Sequence, residues 1–286
     1  MVPVSAPSHL TARERARRAA RGGASRSVPA PLLVPALIAV GFLVLPLVGL
    51  LIRAPWSHMG AALSGSDATQ ALILSLWTAS ASTAISLVIG VPLAWVLARS
   101  SFPGQRLLRA LVTLPLVLPP VVGGVALLLA FGRTGFLGQY LDSWFGLTIP
   151  FTPLAVVMAE TFVAMPFLII TVEGALRSAD QGFEEAAATL GAKRMTVFRR
   201  VTLPLVAPSL GAGGVLCWAR ALGEFGATIT FAGSFPGQTE TMPIAVYYAL
   251  ETDPDAAIAL SLVLLVVSIA VLISLRDHWL RGGSAA

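Results

Sequence analysis

The chain has 286 residues, of which 56% are hydrophobic and only 12% charged, and its mean hydropathy is +0.83. A soluble domain carries about 25% charged residues, so an ordinary soluble enzyme is excluded; disorder is excluded too, because disordered chains are apolar-poor and charge-rich. The net charge of +5 comes from 18 Arg and one Lys against 14 acids, a balance that suits the basic inner loops of a polytopic membrane protein rather than a nucleic-acid surface.

Two singletons narrow the chemistry further. Cys217 has no second cysteine with which to form an intrachain disulfide or a cysteine zinc site. Lys193 lies between Ala192 and Arg194, so the chain has no Gly-Lys-Ser/Thr phosphate loop. If ATP drives this protein, another subunit hydrolyses it.

Residues 1–30 are rich in Ala, Ser and Arg, with Arg13, Arg15, Arg17, Arg18, Arg21 and Arg26 against one acid, Glu14. The apolar run that follows is longer than a signal-peptide core. The segment therefore reads as a disordered cytoplasmic tail. Six apolar spans follow, at 31–52, 70–98, 107–131, 153–173, 205–232 and 256–275, each with at least the roughly 20 residues that cross a bilayer; the span at 70–98 is longer than required, which fits a tilt or a projection into the cytoplasm. Residues 31–69 hold the first span and an outer loop, 70–275 the main transmembrane domain, and 276–286 a cytoplasmic C-terminal tail. With both ends inside, 16 basic residues fall in inner segments and only two, Arg53 and Arg133, in outer loops. That bias orients the chain. The expected fold class is all-α, a polytopic integral membrane protein.

Gly and Pro cluster in two spans, at Pro115, Pro119, Pro120, Gly123 and Gly124, and at Pro208, Gly211, Gly213 and Gly214. Small residues allow close helix packing. Prolines in a span are tolerated where protein or a water-lined cavity satisfies the freed groups. The clustering points to helices that line a path.

The inner loop at 174–204 reads as two short helices, 181–190 and 193–202, with Gly191 stopping the first and Leu203-Pro204 ending the second. Glu185-Ala186-Ala187, then Gly191, then Val201-Thr202-Leu203-Pro204 match the EAA loop of binding-protein-dependent ABC importer permeases, with Val201 where Ile is commoner. The resemblance implies a type I ABC importer permease with six transmembrane helices and a cytoplasmic coupling loop at 181–204. It also implies that Glu185 and Gly191 shape that loop, and that Ala186, Ala187 and their apolar neighbours, up to Leu203 and Pro204, meet a dimer of ATP-binding subunits. Two further stretches, LPLVLPPVVGG at 114–124 and ARALGEFGATITFAGSFPGQTETMPIAVY at 219–247, resemble permeases for tetrahedral oxyanions, molybdate first and sulfate second.

As the resemblance has it, the chain is a transport subunit without catalytic residues, metal or cofactor, in a bacterial inner membrane. An extracytoplasmic molybdate-binding protein delivers the anion, and a homodimer encloses the path; nucleic acid is not a partner. Sulfate, thiosulfate and tungstate remain alternative cargoes, and an ion-coupled secondary transporter using Glu160 or Glu224 remains an alternative class.

Arg220 and Glu224 stand one helical turn apart and share a face. Two readings fit them: a contact on the anion path, or an internal ion pair that stabilises or gates the bundle. The second is preferred, because a tight anion site in the pore would slow release. Thr228 and Thr230 offer hydroxyls for passing contacts, or for packing. Glu160 has no basic residue within its span and reads as buried against a neighbouring helix. Trp56, Trp144 and Trp279 read as interfacial anchors.

Overall fold

The computed structural model describes residues 30–57, 59–60 and 66–282. The Arg-rich tail at 1–29 lies outside the described residues, as do His9, His58 and residues 283–286; the side chains of His278 and Trp279 are likewise outside them. All elements among the described residues are helical.

The chain divides into two compact units, Met1–Ile52 and Arg53–Ala286. In the first, α1 (Ala30–Ile52) is a helix of 23 residues with no charge, uniformly apolar apart from small residues and prolines. Such a helix suits a lipid surround.

The second unit starts with α2 (Ser66–Arg99), 34 residues long. At 1.5 Å per residue it is about 50 Å long, well beyond the roughly 30 Å hydrocarbon core. Its buried stripe of Ala71, Ser75, Thr78, Ser82, Ser86, Gly90, Ala94 and Leu97 recurs every three or four residues. Lipid offers helices no hydrophobic reason to associate, so small side chains that permit close packing take that role. The stripe packs on α6 (Pro153–Ser178), the most enclosed span, whose start is capped by the Thr152 side chain accepting the Ala155 amide.

The expected third span at 107–131 is not one helix. It is α3 (Gln105–Val117) and α4 (Pro120–Phe131), bent by 117°. Leu118 between them is extended, with ψ 134°. A residue before proline is pushed out of the helical region, and Pro119 followed by Pro120 removes two consecutive amide donors. The loop after α4 forms α5 (Gly138–Phe145). There Arg133 pairs with Asp142 at 3.2 Å; hydrogen bonds from Arg133 and then Thr148 hold that carboxyl below its ordinary range.

The expected fifth span at 205–232 also differs. The inner loop gives α7 (Gly182–Thr189) and α8 (Arg194–Val197), but Leu203-Pro204 does not end the second helix. A π-helical segment, Phe198–Thr202, joins α8 to α9 (Leu203–Leu222), making one apolar rod from Arg194 to Leu222. The Leu203 amide bonds the Phe198 carbonyl, five residues back. This wider turn relieves the clash and missing donor that Pro204 brings to an α-helix. At its other end the rod breaks at residues 223–225, and α10 (Gly226–Ala232) follows.

Two last helices complete the unit. α11 (Met242–Thr252) lies within what reads as an outer loop, and its Met242 and Ala245 pack with Ala71 of α2 and Leu260 of α12 (Pro254–Gly282). α12 continues seven residues past the expected end of its span at 275. Counting α3 and α4 as one broken span, the described residues hold six spans long and apolar enough to cross a membrane.

The main core joins α2, α6 and the rod through Leu97, Leu168, Ile169, Val172, Leu176, Val206 and Leu222. A second core joins α4, α6 and α10 through Leu127, Val156, Val163 and Phe231.

Candidate functional site

The residues singled out from sequence fall into two groups. The first sits at the basic end of the bundle, on α7 and the start of the rod. Here Gly191 adopts a φ of +82°, a left-handed conformation that costs other residues about 1–2 kcal/mol. Its amide bonds the Ala188 carbonyl at 3.0 Å, and the Ala192 amide bonds the Ala187 carbonyl at 3.1 Å. These two bonds close the C-terminus of α7 as a Schellman motif. The helix is therefore stopped sharply at Gly191.

α7 shows an open apolar surface. Phe183 and Leu190 are 59% and 88% exposed, and Met195 just beyond is 59% exposed; Ala186 and Ala188 are exposed between them, with Ala187 half-buried. Contiguous apolar exposure of this kind marks a surface that another molecule covers. Glu185 is exposed on the same helix, Leu203 is half-buried and Pro204 exposed.

The acid that anchors α7 is its neighbour, Glu184. It pairs with Arg99, the last residue of α2, at 2.9 Å, and both side chains are largely buried. Sequence reasoning missed this pair, because 85 residues separate its members and no short-range pattern links them. It also missed Glu173, which accepts from Arg109 at 2.8 Å and Arg177 at 2.9 Å. Arg109, Arg177 and Gln105 all donate to the Leu97 carbonyl near the C-terminus of α2. Cationic donors at that terminus complement the helix dipole.

The second group surrounds the break in the rod. Arg220 and Glu224 form an ion pair of 2.6 Å, with Glu224 1% exposed. The other Glu224 oxygen accepts the Ala227 amide of α10 at 2.9 Å. One carboxylate thus satisfies the last cation of one helix and the first turn of the next. Arg220 also lines a cavity of about 100 Å³ with Pro115, Leu118 and Pro120 at the α3–α4 bend, and with Val163 and Phe167 of α6. Two broken helices therefore meet at one charged side chain.

Their contact is tight. A Cβ on Gly124 of α4 would lie 2.7 Å from the Ala227 carbonyl oxygen and 2.7 Å from Thr230 Cβ; one on Gly226 of α10 would lie 2.9 Å from Pro120 Cβ. Only glycine allows these backbones to approach so closely. Thr230 donates to its own helix at the Gly226 carbonyl, 2.8 Å away. Thr228 is fully buried and its hydroxyl has no partner. Glu160 of α6 is also buried; one oxygen accepts from Thr78 of α2 at 2.8 Å and the other is unpartnered.

Residues 90–282 match the family model described as the binding-protein-dependent transport system inner membrane component. The chain belongs to this family. It is a membrane-spanning transport component rather than an enzyme. It is 51% identical over 246 residues to the molybdenum transport system permease protein ModB of Mycobacterium tuberculosis, covering 86% of this chain and 93% of that one. It is 36% identical over 245 residues to the sulfate transport system permease protein CysT of Salmonella typhimurium, covering 84% and 88%. Its fold is that of a chain from a bacterial ABC transporter involved in the import of the acidic polysaccharide alginate, with a TM-score of 0.72 at 18% identity over 88% of this chain and 94% of that one.

Proposed function

We propose that this family member is the permease subunit of an ATP-driven importer for molybdate. The observation that carries the cargo is the 51% identity to a molybdenum permease, against 36% to a sulfate permease. Sulfate is the second reading, favoured by that lower but extensive likeness.

ATP-binding subunits dock on residues 181–204, where Ala186, Ala187 and the exposed Phe183 and Leu190 form the contact. Glu185 and Gly191 orient the loop, and Leu203 and Pro204 follow it into the rod. The loop lies in the cytoplasm with both termini, in a bacterial inner membrane. An extracytoplasmic binding protein delivers the anion to the other face. A bacterial alginate ABC transporter of this fold, solved in complex with a periplasmic protein, supports this reading. A second copy of the chain completes the enclosure of the path, giving a homodimer.

The rod supplies the mechanics. Its 29 residues from Arg194 to Leu222 extend about 44 Å. A push on α7 reaches the start of the rod across the stiff turn at Gly191. The rod carries it to Arg220, where the Glu224 clasp and the α3–α4 bend respond. Switching between discrete packings of such broken helices opens the path on alternate sides. Arg220, Glu224, Thr228 and Thr230 form the gate of that path. Arg220 keeps its charge compensated by Glu224, so an oxyanion passes it without being trapped.

Reconstitution tests this reading. Proteoliposomes holding the chain, its ATP-binding subunit and its binding protein should accumulate molybdate only with ATP, and excess sulfate should compete weakly. Sulfate accumulation in preference to molybdate would reassign the cargo. Uptake driven by a proton gradient alone would overturn the class.

A further inference from the structure

Glu160 is 1% exposed within the bundle, and among the described residues it belongs to no ion pair. The cations of every helix packed on α6 are placed elsewhere. Arg220 of α9 takes Glu224, and Arg109 of α3 takes Glu173 together with Arg177 of α6 itself. Arg99, at the inner end of α2, takes Glu184. Arg106 of α3 and Arg194, Arg199 and Arg200 of the rod are exposed, and α4 and α10 carry no charged residue. An ionised carboxylate in such surroundings needs a cation, or donors on both oxygens. Glu160 has neither, since its Oε2 is buried without a partner.

Thr78 Oγ lies 2.8 Å from Glu160 Oε1 and 3.3 Å from the Ser75 carbonyl oxygen. A hydroxyl has one proton to donate, so with Glu160 ionised Thr78 serves only one of these two acceptors. Heavy-atom positions allow the reverse direction equally. An un-ionised Glu160 donates to Thr78, Thr78 donates to the Ser75 carbonyl, and both contacts are made. We propose that Glu160 is carried as the un-ionised acid and donates its proton to Thr78, forming a charge-free latch between α6 and α2. The latch extends to α11, because the Ser75 side chain accepts the Met242 amide at 2.7 Å. Glu160 stands one helical turn before Val163, which lines the Arg220 cavity. A second carboxylate charge there would compete with Glu224 for Arg220 and repel an oxyanion. The neutral acid does neither, and so acts through Thr78 as a positioning residue for the gate. That last role rests on the proposed function; the protonation state does not depend on the cargo.

Infrared difference spectra of the assembled transporter in nanodiscs at neutral pH, unmodified minus Glu160→Gln, test the proposal without any transport. The unmodified chain should show the carbonyl stretch of one hydrogen-bonded carboxylic acid that the variant lacks, with the carboxylate bands unchanged. Thr78→Val, which deletes the acceptor, should raise that stretch in frequency. Loss of carboxylate intensity in Glu160→Gln, or an acid band indifferent to Thr78→Val, overturns the proposal. Uptake gives the second readout. Glu160→Gln keeps an uncharged group of the same shape that still donates to Thr78, so molybdate uptake per ATP should stay within about twofold, whereas Glu160→Ala, which strands Thr78, should lower it about tenfold. Equal losses in the two variants would make the charge of Glu160 the working feature and overturn the neutral latch.

Discussion

Arg220 and Glu224 meet at 2.6 Å where the rod ends, and the same carboxylate holds the Ala227 amide of the next helix at 2.9 Å. The pair therefore fixes the geometry of a break, which is more than charge neutralisation. Glu224→Ala leaves the Arg220 charge and a helix-end amide unsatisfied together. Removing one member of a buried pair costs about 3–5 kcal/mol, so this variant should unfold well below the unmodified chain in a thermal melt in detergent. Arg220→Ala should also lower assembly, with the molybdate-to-sulfate preference retained. A switch in that preference would instead make Arg220 a selectivity contact.

The crossing of α4 and α10 depends on the absence of a side chain. Gly124→Ala places a Cβ against the Ala227 carbonyl, and overpacking of this kind costs about 1–3 kcal/mol. Gly211→Ala, on the rod with nothing within 4 Å of its would-be Cβ, should be neutral or stabilising by about 0.5–1 kcal/mol. Melting temperatures of the two variants, measured side by side, check the contrast.

The turn after α7 closes because Gly191 can take a left-handed φ. Gly191→Val forces a branched residue to a φ of +82°, where side chains are strained. ATP hydrolysis by the assembled transporter should persist while molybdate uptake per ATP falls, roughly tenfold. Glu185→Lys should show the same dissociation. Equal loss of both activities would point to failed assembly rather than failed coupling.

Glu184 ties α7 to α2 through Arg99. Glu184→Ala strands a largely buried guanidinium and should reduce both stability and uptake. The exchange Arg99→Glu with Glu184→Arg should recover part of the loss. A double-mutant cycle on melting temperature should give a coupling energy of about 1–3 kcal/mol. A coupling near zero would remove the pair from the lever.

Hydropathy made the spans legible in the sequence, since a stretch of some 20 apolar residues has few other uses. The stop after the first short inner helix was equally plain, because Gly191 and its neighbours follow local rules of helix termination. Arg220 and Glu224 were visible as an i,i+4 pair. Three features were not. The bend at Leu118 was hidden because hydropathy is blind to proline pairs inside an apolar run. The continuation of the rod past Pro204 depends on a π turn, whose register no residue pattern announces. The Arg99–Glu184 and Arg109–Glu173 pairs exist only once distant helices have packed. Glu160 was read as buried, but its partner Thr78 on α2 could be found only in three dimensions.

In the proposed transporter, residues 181–204 grip an ATP-binding subunit inside the cell. A single cysteine at Ala188, in a Cys217→Ser background, tests this most directly. In intact cells it should resist a membrane-impermeant thiol reagent, and in the assembled transporter it should cross-link to the ATP-binding subunit in a manner that changes with added ATP. Labelling from outside the cell, or cross-linking only to partners other than a nucleotide-binding subunit, would contradict the account.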